Sequence, residues 1–330
     1  MNWEDIKYMR VVIWGMLTIL LLLLPLFTSR YIQSILIFIQ IYSLVAIGLC
    51  LLTGFAGQIS LAQGAFYGIG AYTSAIISLR LDISPFLGMV CGASVAGIVA
   101  YVLGKRFLRI RGFYLALITF GFALFVDNIF YRFDFLTGGH DGISGIPNFS
   151  IGGFIMNKDF HYYYLLLVAI SFAFFLARNL LRSEIGREMR AVDLFTGGSE
   201  IASSALGVNI GRLKTKIFVI ASIYAAVAGS IYAHYMTHIH PQPFDISSSL
   251  LFLTMIVIGG IKSLWGGIIG AIFYIGSREL ISYFMGGATG WDLIVYALVF
   301  LLVLMFLPEG LISFPQKIYL NQAGKTTPYE

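Results

Sequence analysis

IQSILIFIQIYSLVAIGLCLLT, residues 32–53, runs without one charged side chain. About 20 residues of helix rise about 30 Å, the thickness of a bilayer's hydrocarbon core. Lipid offers the backbone no hydrogen-bond partners, so a run of this kind reads as a helix and not as an isolated strand. Similar runs extend outward on both sides, near 11–28, 60–79, 83–104, 113–131, 161–181, 215–236, 246–261, 264–284 and 291–307. Ten spans leave no stretch long enough for a separate globular domain. The fold class expected is all-α, a polytopic integral membrane protein forming one domain over residues 1–330. Composition agrees: 58% of the residues are hydrophobic and 11% charged, against about a quarter charged in soluble domains. Residues 1–10 carry Glu4, Asp5, Lys7 and Arg10, and the apolar run that follows lacks a small-residue cleavage site, so it reads as a retained first span.

The net charge of +5 does not point to nucleic acid, because the basic residues flank apolar runs instead of forming a face interleaved with aromatics. They sort by side. With the N-terminus inside, sixteen Lys and Arg fall in alternate, cytoplasmic segments and four outside (Arg30, Arg80, Arg132 and Lys158), with Arg278 inside a span. The positive-inside tendency therefore puts both termini in the cytoplasm. Cys50 and Cys91 both lie in apolar runs without metal or CxxC spacing.

Two connections exceed turn length. The outer loop, 132–160, is rich in glycine, including Gly138, Gly139 and Gly142, and suggests a compact cap of tight turns. The inner loop, 182–214, is polar but carries a helical pattern over Glu200–Leu206, with Ile201, Ala205 and Leu206 on one side. Such a helix suits the docking of a soluble partner or a place among the headgroups. A polar tail occupies 315–330.

Glycine recurs within the spans, as in Gly64-x-x-x-Gly68 and Gly266-x-x-x-Gly270, a pattern that lets helix backbones approach closely in lipid. One echo stands out: Gly57-x-x-Ser60-Leu61-x-x-Gly64 and Gly260-x-x-Ser263-Leu264-x-x-Gly267 share four residues at one spacing. Glycine-interrupted segments at corresponding places are what transporters use for broken helices near substrate. Polar uncharged residues gather on the second and third spans, among them Gln40, Thr53, Gln58, Ser60, Gln63, Tyr67, Tyr72, Thr73 and Ser74. They suit either a path for a small zwitterion or hydrogen bonding between helices.

Enzyme signatures are missing from the sequence. Gly324-Lys325-Thr326 has Tyr319 where the first glycine of a P-loop belongs, so the chain is not expected to bind ATP itself. His234, His238 and His240 lack the glutamate of the zincin pattern and read as polar groups facing headgroups or a vestibule; no metal site and no catalytic residue are expected. The charged groups within spans, Asp127, Arg278 and Glu279, sit toward outer ends, which disfavours a proton- or sodium-coupled carrier.

The run Leu52-Thr53-Gly54-Phe55-Ala56-Gly57-Gln58-Ile59-Ser60-Leu61-Ala62-Gln63-Gly64-Ala65-Phe66-Tyr67-Gly68-Ile69-Gly70-Ala71-Tyr72 resembles the signature of permease subunits of branched-chain amino acid ABC importers. So do Arg111-Gly112-Phe113-Tyr114, Leu136-Thr137-Gly138-Gly139 and Ser263-Leu264-Trp265-Gly266, in the same order. The resemblance implies a bacterial cytoplasmic (inner) membrane, a homologous second permease, two ATP-binding subunits and an external or periplasmic substrate-binding protein. ATP then acts only through the partner subunits, and the substrate is leucine, isoleucine or valine, with urea or short amides as the alternative. Glu200-Ile201-Ala202-Ser203-Ser204-Ala205-Leu206-Gly207 resembles the family's ATPase-coupling loop, although 193–199 is longer than the usual link. Gly54, Gly57, Gly64, Gly68, Gly260 and Gly267 are then helix breaks or packing points, and Gln58, Ser60, Gln63, Tyr67 and Thr73 the substrate pathway.

Overall fold

A computed structural model describes residues 20–107, 113–151, 154–192, 200–284, 297–298, 300–302, 305 and 310–313. Helix α1 is described over 20–27. There follow α2 (Arg30–Leu49) with a π-helical extension (Cys50–Phe55), α3 (Gln63–Arg80), α4 (Pro85–Phe107), α5 (Phe113–Arg132) and the single turn α6 (Asp134–Thr137). After the short strands β1 (Ile143–Ser144), β2 (Ser150–Ile151) and β3 (Phe154–Ile155) come α7 (Asp159–Arg182), α8 (Glu184–Val192), α9 (Glu200–Ala205) and α10 (Ile210–Met236). Strand β4 (His238–Ile239), α11 (Ile246–Gly259) and α12 (Leu264–Phe284) complete the order, with 3-10 turns at Gln242–Phe244 and Leu311–Ser313.

Among the described residues six helices are long and apolar enough to cross a membrane: Arg30–Phe55, Pro85–Phe107, Tyr114–Arg132, Asp159–Arg182, Ile210–Met236 and Leu264–Phe284. Of the other four runs in the sequence, 60–79 coincides with α3, whose buried polar residues lower its hydropathy. The run 246–261 forms only the 14-residue α11, about 21 Å of helix. Most of 11–28 and 291–307 lies outside the described residues.

Burial ranks these helices. In α10, 78% of the most apolar stretch is buried, against 22% in α4 and 17% in α7, so α10 is the axis and the other two are walls. Lipid tails are as apolar as leucine, and helices in a bilayer associate through close van der Waals fit. The axis is accordingly built of small residues, with Ala221, Ala225, Ala226, Ala228 and Ala233 fully buried. Helix α10 packs most extensively on α3 and α4. A β-carbon on Gly70 would overlap the backbone of Ala226, and one on Gly229 the carbonyl of Tyr67. Ser230 Oγ, 3.0 Å from the Gly70 carbonyl and 2.9 Å from that of Ala226, donates across the same seam. On α4, α5 and α7 Val90, Ile98, Phe125, Val168 and Phe172 are exposed, as lipid-facing residues must be.

A cap closes one end. β1 pairs antiparallel with β4, placing Ile143 opposite Ile239 and Ser144 opposite His238. At the other end the inner loop is more ordered than its polar composition suggested: Glu184–Val192 is a helix, with Gly186, Met189 and Val192 buried at three-residue spacing. Those three positions share a face at helical period and hold α8 against α7 and α10.

Gly229→Ala is expected to destabilise the bundle by about 1–3 kcal/mol, the usual cost of overpacking, whereas Gly121, with nothing within 4 Å of a β-carbon, is expected to accept alanine without loss. Thermal unfolding of the two detergent-purified variants distinguishes these outcomes.

Candidate functional site

The repeated Gly-x-x-Ser-Leu-x-x-Gly motif falls on two helix breaks. Helix α2 loosens into its π-helical extension, where the Ala56 amide donates to the Leu51 carbonyl at 3.2 Å and the Gln58 amide to Leu52 at 3.0 Å. Gly57 then turns with φ +63°, and irregular backbone continues to α3. Helix α11 stops at Gly259, Gly260 adopts φ +118°, and α12 begins at Leu264. The second value lies where side chains are scarcely tolerated, so glycine there is a backbone requirement.

The two breaks touch. A β-carbon on Gly54 would overlap the Ile261 carbonyl oxygen, and one on Gly267 would stand 3.2 Å from Ala46 Cβ. Freed amides find partners on neighbouring helices: Leu61 N–H donates to Thr119 Oγ1 at 3.0 Å, and Gly64 N–H to Ser249 Oγ at 2.8 Å. Ser60 folds back, its Oγ accepting from the Ala62 amide at 3.3 Å. Gly68 lies against the Phe130 ring and the Phe244 β-carbon.

Around this junction stand buried polar groups without hydrogen-bond partners among the described residues. They are both amide atoms of Gln58 and of Gln63, Thr53 Oγ1 and the Tyr67 hydroxyl, in residues at most 2% exposed. Each such group ordinarily costs about 1–3 kcal/mol, so several at one place mark a region maintained for something other than stability. Ser60 lies beside this set but is satisfied locally. Thr73 is half-buried and stands a third of a turn around α3 from Tyr67, outside the set.

Aromatic rings continue the junction. Tyr67 packs on Tyr232, Phe244 and Phe252 with centroids 5.5, 5.3 and 5.7 Å away, and Tyr42 meets Phe252 edge-on at 5.5 Å. Tyr42 also lines a cleft of about 380 Å³ whose other walls include Phe38, Tyr274, Arg278, Glu279 and Ser282. The Tyr31 hydroxyl donates to Glu279. A guanidinium, a carboxylate and aromatic walls therefore meet the ring cluster at Tyr42, whose partner Phe252 packs on Tyr67.

His234 does not face headgroups or a vestibule. It is fully buried, with Nδ1 2.6 Å from the Pro147 carbonyl and Nε2 2.8 Å from Ser74 Oγ. A carbonyl only accepts, so Nδ1 donates, and Nε2 of the neutral ring accepts from the serine hydroxyl. Tyr162 donates to the His234 carbonyl at 2.8 Å. Together these bonds staple α3, α7, α10 and the outer loop. Among the described residues no group of three His, Cys, Asp or Glu side chains is placed to hold a metal ion.

In the inner loop, Glu200 and Ile201 open α9. Ser203 is buried and donates to the Ala191 carbonyl at 2.8 Å, which ties α9 to α8. Ala202, Ala205, Leu206 and Gly207 face outward, Leu206 with 85% of its surface exposed.

Residues 31–304 match the family model described as the permease component of the branched-chain amino acid transport system. The chain belongs to that permease family. It is 28% identical to the LivM permease protein of Escherichia coli K12, over 91% of this chain and 75% of that one. It is also 28% identical to LivH of Salmonella typhimurium, over 83% and 92%, and 26% identical to BraD of Pseudomonas aeruginosa, over the same shares. No solved structure matches it.

In this permease, sequence alone did not single out Thr119, Ser249, Tyr232, Phe244 and Phe252, because each lies far along the chain from the break it serves. Tyr67→Phe removes an unpartnered buried hydroxyl, so thermal stability is expected to hold or rise while substrate uptake falls about tenfold, the worth of one lost hydrogen bond to a ligand. Stability and uptake measured on the same preparation check this.

Proposed function

We propose that the chain translocates branched-chain amino acids as the membrane-spanning permease subunit of an ATP-binding-cassette importer. The observation that carries the reading is the pair of facing helix breaks, bordered by unpartnered Gln58, Gln63 and Tyr67, with a cleft holding Arg278 and Glu279 joined to Tyr67 through the rings of Tyr42 and Phe252. A zwitterion needs opposite charges at the mouth, and an aliphatic side chain suits the aromatic rings beyond it. The permease proteins to which the chain is similar carry the same transport in their names.

In this reading ten helices cross a bacterial cytoplasmic membrane, with α3, α11 and the runs at 11–28 and 291–307 completing the six long apolar ones. Both termini lie inside, and a single domain carries the outer loop 132–160, the coupling loop 182–214 and the tail 315–330. A homologous permease pairs with the chain, since it resembles both LivM and LivH types. Two ATP-binding subunits dock on α9 and supply the energy, and an external binding protein delivers the substrate. The chain binds no nucleotide or other cofactor and performs no covalent chemistry. Helix α10 starts three residues beyond Gly207 and carries Tyr232 and His234 near its far end, so a push on α9 travels along one rigid rod to the ring cluster.

A second substrate class has one observation in its favour: the unpartnered carboxamides of Gln58 and Gln63 complement urea or a short amide. Uptake of radiolabelled leucine into proteoliposomes holding the permease with its copurifying subunits, binding protein and internal ATP separates the readings. Leucine uptake that needs every component supports the importer. Uptake driven by an ion gradient through the chain alone would overturn it, and ligand-stimulated ATPase activity with amides but not leucine moves the substrate to that class.

In the same system Ala205→Arg and Gly207→Asp are expected to lower ATP-driven uptake about tenfold through lost docking contacts while leaving membrane insertion intact. Asp127→Asn is expected to leave uptake unchanged, since an importer driven by ATP needs no titrating acid in a span.

A further inference from the structure

A cavity of about 750 Å³ lies away from the helix breaks, at the end of the bundle shared by the C-terminus of α4 and the N-terminus of α10. Lys105, Arg212 and Lys216 converge on it, together with Asn209, Thr215 and Tyr101. All three cations are exposed, and the described lining carries no acidic side chain. Glu184, next to the lining residue Ile185, is turned to Arg187 at 3.6 Å. The first amides of α10 point toward the same end, and one of them is capped by Asn209 Oδ1. The three cations and the helix N-terminus favour an anion.

The cavity is not a simple anion cup, because its walls lead into the membrane. Val219 and Ile220 of α10 line its inner side. The same face continues with Ile223 and Val227, which line a shallow valley against Met89, Val90, Ala93 and Ser94 of α4. It then reaches Ile231 in an apolar cavity of about 360 Å³ walled by Val168 and Phe172 of α7. Gly97 of α4 faces the same wall, a β-carbon there standing 3.4 Å from Ile223. From Lys216 to Ile231 the helix rises about 22 Å, which is more than the hydrocarbon depth of one leaflet, about 15 Å. Val90, Tyr101, Val168 and Phe172 are more than half exposed along this route, so the valley is open to bilayer.

We infer that the α4–α10 valley is a binding site for one anionic phospholipid of the cytoplasmic leaflet. Its phosphate lies among Lys105, Arg212 and Lys216, and an acyl chain lies along Val219, Ile223 and Val227. Charge chooses the headgroup and the length of apolar wall chooses a lipid over a free anion. The side of the membrane follows from the Lys and Arg distribution, and the site requires only the membrane fold, whatever the permease carries. Because Asn209 and Ile185 border the headgroup cavity, the lipid seats against the link between α9 and α10 and against α8, holding the coupling region at the membrane surface.

Native mass spectrometry of the permease with its copurifying subunits, exposed to equimolar dioleoyl phosphatidylglycerol and dioleoyl phosphatidylcholine, tests this directly. Phosphatidylglycerol is expected to be retained over phosphatidylcholine by about tenfold or more, from three cations each favouring an anionic lipid. The variant K105Q/R212Q/K216Q is expected to bring the two lipids to parity, while R178Q/R182Q, which removes cationic charge elsewhere, keeps the preference. Should the triple variant fail to fold, competition on the unmodified complex decides: millimolar inorganic phosphate is expected to leave phosphatidylglycerol in place. Parity in the unmodified complex, an undiminished preference in the triple variant, displacement by phosphate, or retention by the isolated chain but not by the complex would each overturn the assignment, the last because a partner subunit then covers the valley.

Discussion

An amide that loses its helical partner inside a bilayer has no water to turn to, and leaving it unbonded costs several kcal/mol. The breaks after Phe55 and after Gly259 create such amides, and much of the bundle is arranged around satisfying them. Thr119 on α5 and Ser249 on α11 meet the amides of Leu61 and Gly64. Gly54 and Gly267 let the two breaks approach until backbone lies on backbone. The π-helical extension of α2 lets its carbonyls reach Ala56 and Gln58 beyond the last regular turn.

The amides of Leu61 and Gly64 at the junction are met, yet the side chains of Gln58, Gln63 and Tyr67 are left without partners. That asymmetry separates a scaffold from a site. A bundle selected only for stability would have replaced these groups with apolar ones of similar shape, often at no loss. In the proposed function these side chains border the path of a small solute, which would exchange hydrogen bonds with them while its aliphatic part lies against the rings of Tyr67, Phe244 and Phe252.

Motion in such a machine must pass through something stiff. Helix α10 spans the bundle from the exposed α9 region to the His234 staple, and its alanine- and glycine-lined seam with α3 leaves no slack between the two. In the proposed mechanism, displacement at Asn209 reaches Tyr232 and the Tyr67 ring as a shift of a whole rod, without a relay of separate side-chain changes.

Apolar run length by itself determined the membrane class, the all-α architecture and the positions of the long spans, because a bilayer demands helices of one approximate length and tolerates few charges. The repeated Gly-x-x-Ser-Leu-x-x-Gly motif likewise marked the broken segments, since glycine at a positive φ is a local requirement. Contact between those two segments, about 200 residues apart in the chain, was decided only in the folded bundle, as were the polar groups it leaves unpartnered. The same holds for His234, which reads as a surface histidine at a span end until Pro147 and Ser74 close on it. Periodicity reports which face of a helix is apolar; which other helix meets that face depends on packing between distant segments, and no local pattern encodes it.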